Sequence, residues 1–305
     1  MAYRFLTADV FTDRMFGGNQ LAVLPDARGL TGEQMLAITR EFNYSESTFV
    51  LPPERGGTRR VRIFTPGGEV PFAGHPTVGT AHVLAVIGEL ALTGDETRIL
   101  LEEGVGDVPV TIRSRAGQPT FAQLSVAKLP EVVAPTPDLA ALAEVLSLAP
   151  DDFVGGPWAP VAVSCGLPFL MVAVKSRDAV RRARVRMDPW ERTLAGSPAS
   201  EPMVFAMEAE GPGIDIHARV FVPGLSVPED PATGSACAAL GGFLAMRTPR
   251  GEGTLRWVVE QGVEMGRPSR LEIEVDKVGG AVTAVRVGGS TVVVSEGMLR
   301  VNSEG

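Results

Sequence analysis

The residues of this chain that could carry acid–base chemistry lie in one loop and at the starts of two apolar helices. His75 stands at the start of one helix, Asp230 just before the other, and Glu46 between a helix and a strand. If Glu46 points into a poorly hydrated cleft, its pKa rises toward the range of a general base. These three side chains are therefore candidate catalytic residues.

Each candidate also has a structural interpretation, which the sequence alone leaves open. His75 is equally consistent with a cap or a buried hydrogen-bonding group, Asp230 with an N-cap, and Glu46 with a surface loop. Of the other two histidines, His82 is predicted to lie in the core and His217 to be structural. No histidine has the His-Glu-x-x-His spacing of a metal site, so no metal is expected.

The starts of the two apolar helices predict a binding site for an anion. The first N–H groups of a helix lack partners inside it and carry the positive end of its dipole. Two such ends facing one cleft would hold a carboxylate. The small residues Gly74, Gly234 and Ser235 would let a ligand approach the backbone closely. The expected ligand is a small carboxylic acid.

The two helices that would position these residues span 75–90 and 232–246 and are apolar or small nearly all round. A helix without a polar face must be buried. Alternating apolar runs, typical of strands, surround both helices. The predicted fold is therefore α+β, with two pseudo-symmetric lobes, each a curled, mostly antiparallel sheet or barrel around a central buried helix.

A repeated phrase supports this two-lobe organisation. Residues 62–71 and 219–228 are identical at six of ten positions, and each copy precedes one of the apolar helices. A repeat this long indicates an internal duplication with a cleft between the copies. We predict lobes at 1–127 and 128–305, and a return of the terminal strand to the first lobe stays open. A chain of 305 residues also exceeds what one core usually supports.

Composition and missing motifs narrow the class of protein. The net charge of −8 argues against nucleic acid or anionic membrane as partner. Cys165 and Cys237 are predicted to be inert buried thiols, and the arginines between 177 and 186 a solvated helix face. No motif for a dinucleotide, for ATP or for a serine nucleophile is found. Without a signal-like N-terminus or an apolar run long enough to span a bilayer, a cytoplasmic location is expected.

Five parts of the chain together resemble the phenazine-biosynthesis PhzF-like family. They are residues 9–12 with 17–19, 43–49, 73–77, 230–236 and 261–269. The resemblance covers nearly the whole chain, although Gln20 stands where many members have proline. It implies the diaminopimelate epimerase-like fold, with the active site between two lobes, and a homodimer.

The resemblance also implies an activity and roles for particular residues. The best understood member isomerises trans-2,3-dihydro-3-hydroxyanthranilate by moving a proton around the ring, without cofactor or metal. By motif position, Glu46 becomes the acid/base that removes and returns the proton. His75 and Asp230 become polar partners that orient the substrate and help proton transfer. The residues expected to contact substrate are Asn19, Ser45, Gly74, Gly234 and Ser235, with Ser235 in the carboxylate clamp.

The leading hypothesis is therefore a cofactor-independent isomerase that moves a proton on a small carboxylic acid. One alternative is a non-catalytic protein on the same fold that binds a small acid or another protein. Another is a different epimerase or lyase. Racemisation by two thiols is not predicted, because neither helix start carries a cysteine. Phenazine synthesis itself is not implied.

Overall fold

The fold is described from a computed structural model that covers residues 1–134, 136–225 and 227–301. Ser226, within the second copy of the repeated phrase, lies outside these described residues, as does Pro135. The chain divides into two compact units. One comprises residues 1–125 together with the described residues from 288 onward, and the other comprises residues 126–287.

The first part of the chain contains eight strands and two α-helices among its described residues. In order they are β1 (Ala2–Val10), β2 (Asn19–Leu24), α1 (Gly32–Phe42), β3 (Glu46–Leu51), β4 (Arg59–Thr65), β5 (Gly68–Val70), α2 (Gly74–Val86), β6 (Glu96–Glu103), β7 (Gly106–Arg115) and β8 (Gln118–Ser125).

The remainder of the described chain contains ten strands and four α-helices. In order they are β9 (Glu131–Ala134), α3 (Leu139–Leu146), β10 (Val161–Ser164), β11 (Pro168–Ala173), α4 (Arg177–Arg182), α5 (Met187–Thr193), β12 (Pro202–Ala206), β13 (Ile216–Val222), β14 (Val227–Asp230), α6 (Gly234–Arg247), β15 (Gly253–Gln261), β16 (Ser269–Val278), β17 (Ala281–Gly289) and β18 (Thr291–Arg300). The predicted α+β class is confirmed.

Strand pairing in the first unit is mostly antiparallel. β1 pairs with both β2 and the last strand, β18, with Ala2 opposite Arg300. β2 and β3 are parallel, and β4 runs antiparallel to β3 and β5. β4 and β6 are parallel, and β7 runs antiparallel to β6 and β8. The parallel β2–β3 pair places the starts of both strands at the same end.

Helix α2 is the buried helix of the first unit. It lies against β1, β2, β3, β7, β8 and β18, and nearly all of its residues are buried. This burial follows from its sequence, which has no polar face. The predicted end at residue 90 is wrong, because the helix ends at Val86 and Gly88 then adopts a left-handed φ of 77°.

The second unit pairs its strands in a similar order. β10 is antiparallel to β9 and β11, β11 is parallel to β12, and β13 is antiparallel to β12 and β14. β13 is then parallel to β15, which is antiparallel to β16. Helix α6 is buried against β10, β11, β15 and β16.

Several smaller sequence predictions can be compared with the structure. Cys165 and Cys237 are free and buried, and burial, followed by the charge of Glu131, raises the pKa of Cys165 to about 12. Arg181 and Arg182 in α4 are exposed and pair with Asp178, as expected for a solvated helix face. Among the described residues, no helix has the length and apolar character needed to cross a membrane.

Candidate active site

Three element starts bring the first set of predicted residues together. Asn19 begins β2, Glu46 begins β3, and Gly74 begins α2, which packs against both strands. The parallel register places Leu21 of β2 opposite Glu46. The predicted residues of the first unit therefore meet where α2 and the two strands begin.

The end of α1 determines where Glu46 enters β3. A capping box, readable in the sequence as Thr31 followed three residues later by Gln34, starts α1: the Thr31 hydroxyl accepts from Gln34 N–H, and the Gln34 amide oxygen accepts from Thr31 N–H. The helix ends at Asn43, which adopts a left-handed φ of 54°. Two residues later Ser45 leads directly into Glu46, so the carboxyl lies on the first residue of a strand.

A chain of polar contacts orients His75. The Ser45 hydroxyl donates to Asn19 Oδ1 at 3.2 Å, and Asn19 Nδ2 lies 3.3 Å from His75 Nδ1. An amide nitrogen only donates, so Nδ1 accepts and the proton of the neutral ring is on Nε2. His75 Nε2 lies 3.6 Å from Glu46 Oε2. The imidazole therefore presents an N–H toward the carboxyl.

The environment of Glu46 suits a group that both takes and gives a proton. Its side chain is only 18% exposed, and that of His75 only 5%. Burial raises the pKa of Glu46 to about 7, although the interaction with the Ser45 side chain acts in the opposite direction. Among the described residues, Glu46 Oε2 accepts no hydrogen bond. Near neutral pH both protonation states are populated, which is what a general acid–base catalyst requires.

The second set of predicted residues surrounds the start of α6. Asp230 is the last residue of β14, and its Oδ2 accepts from the Thr233 hydroxyl at 2.5 Å. Gly234 and Ser235 are the first two residues of α6. Asp230 is not the N-cap, because that position is occupied by Thr233.

The predicted start of α6 at residue 232 is wrong, and the contacts of Thr233 explain why. Thr233 is extended, with φ −114° and ψ 92°. Its backbone N–H donates to Gln261 Oε1 at 3.2 Å instead of turning into the helix. The helix therefore begins at Gly234.

Sequence reasoning missed two buried polar residues close to these helix starts. Gln261 belongs to a segment that resembles the family but was assigned no role, and Glu103 was not singled out at all. Both are buried; Glu103 contacts Thr77 in the first turn of α2, and Gln261 contacts Thr233, the N-cap of α6. Glu103 is the last residue of β6 and follows another glutamate, Glu102. No motif in the local sequence indicates a function for it.

The remaining histidines occupy the environments expected of core and structural residues. His82 in α2 is buried, which lowers its pKa to about 4. His217 lies between Glu260 at 2.8 Å and Glu264 at 2.9 Å. Burial acts to lower the pKa of His217, but the two carboxylates outweigh it and the pKa is raised. Within residues 1–134, 136–225 and 227–301, no group of three or more His, Cys, Asp or Glu side chains could hold a metal ion.

The fold and the acid–base cluster define a class of protein before any relative is considered. A buried carboxyl with a raised pKa beside an oriented imidazole is typical of enzymes that transfer protons. The chain belongs to the phenazine biosynthesis-like protein family, whose sequence model matches residues 8–297.

Individual relatives agree with this assignment. The chain is 40% identical to an uncharacterised isomerase of Mesorhizobium japonicum, over 97% of this chain and 98% of that protein. It is 34% identical to trans-2,3-dihydro-3-hydroxyanthranilate isomerase of Pseudomonas aeruginosa, over 97% of this chain and 98% of that protein. The crystal structure of a PhzF-family phenazine biosynthesis protein from Bacillus anthracis matches with a TM-score of 0.89 and 26% identity, over 99% of this chain and 100% of that one. The protein is an isomerase of this family.

Proposed function

We propose that this isomerase moves a proton on a small carboxylic acid by general acid–base catalysis, without a cofactor. The observation that carries the proposal is the buried carboxyl of Glu46, which lies 3.6 Å from His75 Nε2. Its raised pKa supports a role in which one group first takes a proton and then returns it elsewhere on the substrate.

In this mechanism the Glu46 carboxylate removes a proton from a carbon of the bound substrate. The electron pair left behind shifts through the conjugated system of the substrate, and the Glu46 carboxylic acid returns the proton to a different carbon. The oriented N–H of His75 stabilises charge that develops on the substrate and keeps the carboxyl of Glu46 in place. Burial of both groups strengthens their electrostatic interactions with the reacting atoms.

Three predicted residues of the second unit complete the proposal. Asp230 would orient the substrate, and the first N–H groups of α6 at Gly234 and Ser235 would bind its carboxylate. That they act on the same substrate as Glu46 stays a prediction, as does the homodimer.

We also infer that the two units arose by duplication. Both units pair their strands in the same sequence of directions. In the first unit, β2–β3 is parallel, β3–β4 and β4–β5 are antiparallel, and β4–β6 is parallel. In the second unit, β11–β12 is parallel, β12–β13 and β13–β14 are antiparallel, and β13–β15 is parallel. In each case a copy of the repeated phrase precedes the buried helix. This supports the predicted pseudo-symmetric lobes, with a boundary near residue 127 and β18 in the first lobe.

The first compound to test is trans-2,3-dihydro-3-hydroxyanthranilate, because a relative with 34% identity is named for its isomerisation. The purified protein, Glu46→Gln and the control Glu41→Gln, which changes an exposed glutamate of α1, are incubated with it in heavy water and followed by NMR. We expect product with deuterium incorporated for the wild type and the control. The folded Glu46→Gln variant should give none.

Each other result has a definite meaning. Turnover by Glu46→Gln at the wild-type rate would exclude Glu46 as the base. If the wild type binds this compound and related small carboxylic acids but exchanges no proton, the protein is a binding protein on this fold. A product that has lost a group or inverted a stereocentre would instead identify a lyase or an epimerase.

A further inference from the structure

In the first unit, the connection between β6 and β7 holds the segment that leads into α2. The backbone N–H of Val105 donates to the carbonyl of Pro71 at 2.8 Å. Gly104 packs so closely on Pro71 that an added Cβ would lie 2.8 Å from its Cα. This connection therefore fixes the backbone three residues before α2 begins at Gly74.

In the second unit, the connection between β15 and β16 holds the segment that leads into α6 in the same way. The Ser269 hydroxyl donates to the carbonyl of Pro231 at 2.8 Å. A Cβ on Gly262 would lie 2.6 Å from the same carbonyl oxygen. Here too the contact is made three residues before the helix, which begins at Gly234.

A buried polar side chain occupies the same place in both connections. Glu103 is the last residue of β6 and Gln261 the last residue of β15, and a glycine follows each. The Gln261 amide donates to the Asp230 carbonyl at 2.7 Å and to Thr233 Oγ1 at 3.0 Å, and accepts from Thr233 N–H. Within the described residues, all the hydrogen bonds of the Gln261 side chain are thus with the segment before α6.

The contacts of Glu103 favour its protonated form. Glu103 Oε1 lies 2.7 Å from Thr77 Oγ1, which also lies 2.8 Å from the carbonyl oxygen of Ala73. A hydroxyl has one proton to donate, and a carbonyl oxygen only accepts. Both contacts are two-centre hydrogen bonds if Glu103 donates to Thr77 and Thr77 donates to Ala73; with an ionised Glu103, Thr77 would have to share its single proton between the two oxygens.

Two further observations favour the neutral acid. Glu103 is only 4% exposed, and its Oε2 has no hydrogen-bond partner among the described residues. A buried carboxylate with an unsatisfied oxygen is far more costly than a buried carboxylic acid. Burial raises the pKa of Glu103 to about 8, and only donation by Thr77 to the ionised carboxylate would act in the opposite direction.

We propose that Glu103 and Gln261 are equivalent positioning residues, each holding the start of one site-bearing helix, and that Glu103 does so as a neutral carboxylic acid. The neutral acid and the amide have nearly the same shape, and each offers one donor and one acceptor side. The inference rests on the proposed function only in taking these helix starts as parts of the active site.

Ionisation of Glu103 would then disturb the start of α2. The Thr77 hydroxyl would turn to the carboxylate and leave the carbonyl of Ala73, the N-cap residue two positions before His75, with only the 3.3 Å hydrogen bond from the Thr77 backbone N–H. The Arg55 guanidinium donates to the main-chain carbonyl of Glu103 at 3.4 Å. It also donates to the Asp107 carboxylate at 3.0 Å. The elements around Glu103 carry the following titratable or charged groups: His75 and His82 on α2, Glu96, Arg98 and Glu102 on β6, Asp107, Arg113 and Arg115 on β7, Arg59, Arg60 and Arg62 on β4, and Arg55 in the loop before β4.

The proton on Glu103 can be measured without any substrate. Carbon-13 NMR of the glutamate carboxyls, assigned by comparison with Glu103→Gln, should show Glu103 in its acid form at pH 7. Amide hydrogen exchange at Thr77 and Val78 speeds up with pH in any protein. Above pH 8 the wild type should exceed this intrinsic increase, and Glu103→Gln should not. The control Glu96→Gln, an exposed change on the same strand, should behave like the wild type.

Kinetics separate a positioning role from a general structural one. We expect the kcat of the wild type to decline above pH 8, as Glu103 ionises. Glu103→Gln should keep the wild-type kcat at pH 7 and show no such decline. Glu103→Ala should lower kcat roughly 10- to 100-fold. Gln261→Glu should lower kcat as well, because it removes the amide donors to Asp230 and Thr233. A Glu103 carboxyl that titrates near 4.5, or a Glu103→Gln variant as impaired as Glu103→Ala, overturns the proposal. If the wild type lacks activity, only the proposed function fails, and the NMR and exchange results still decide this one.

Discussion

Glu46 Oε2 and His75 Nε2 lie 3.6 Å apart, close enough to interact electrostatically but too far for a good hydrogen bond. The imidazole N–H therefore points at the carboxyl without saturating it. His75 is held by Asn19, which in turn accepts from Ser45, so the position of the ring is determined by β2 and the entry to β3. The carboxyl remains able to exchange a proton with a ligand.

The activity should depend on pH through Glu46. Burial raises its pKa to about 7, so the carboxylate form needed to remove a proton is lost as the pH falls below 7. We expect kcat/KM to rise with pH through about 7. Glu46→Asp, which withdraws the carboxyl by one methylene, should lower kcat roughly 100-fold. A pH–rate profile without a limb near 7 would contradict the role of Glu46 as base.

The free energy of unfolding should also depend on pH through Glu46, but it should fall as the pH rises, whereas kcat/KM rises. A carboxyl with a raised pKa binds its proton more tightly in the folded state, so its stabilising contribution is present below about 4.5 and is lost as the pH rises through about 7. Relative to Glu46→Gln, the wild type should lose at most a few kcal/mol between pH 5 and 8, about 1.4 kcal/mol per pKa unit. Urea denaturation at both pH values measures this loss of stability. The control Glu41→Gln should lose the same stability between pH 5 and 8 as the wild type.

Changing Asn19 should disturb the tautomer of His75. Asn19→Asp replaces the amide donor by an acceptor, which favours a proton on Nδ1 of the ring and leaves Nε2 without its N–H toward Glu46. Nitrogen-15 NMR of His75 should show this change, and kcat should fall roughly 100-fold. Ser45→Ala leaves the Asn19–His75 contact in place and should have a smaller effect. An unchanged tautomer in Asn19→Asp would show that another contact orients the ring.

His217 should contribute strongly to stability. His217→Gln leaves Glu260 and Glu264 close together without the cation between them, and removal of one partner from a buried ion pair costs about 3–5 kcal/mol. Arg28→Gln is the matched control, because it breaks an exposed pair with Asp26 and should cost less than about 1 kcal/mol. Equal losses in the two variants, measured by denaturant unfolding, would refute a special role for His217.

Gly79 in α2 should not tolerate even a methyl group. A Cβ there would lie 2.5 Å from Val10 Cγ2 and 2.6 Å from Leu21 Cδ2. Gly79→Ala should therefore destabilise by about 1–3 kcal/mol, despite the higher helix propensity of alanine. Gly196→Ala is the control, since no described atom lies within 4 Å of its added Cβ. Thermal unfolding should show a lower Tm for Gly79→Ala than for the wild type, and an unchanged Tm for Gly196→Ala.

Local features of this chain could be predicted from the sequence because they depend on neighbouring residues. The capping box at Thr31 and Gln34 needs only residues three apart, and the burial of α2 and α6 follows from helices that lack a polar face. The combination of Glu46, His75 and Asp230 with their flanking motifs also predicted the family.

Tertiary structure decided what depends on residues far apart in the chain. Thr233 is the extended N-cap of α6, and its N–H donates to Gln261, 28 residues away in the chain. Glu103 became significant only when folding placed it against Thr77 at a buried position. The raised pKa of Glu46 likewise arises from desolvation, a property of all the surrounding chain. The sequence by itself determined which groups are available and which helices must be buried, whereas their distances and protonation come from packing.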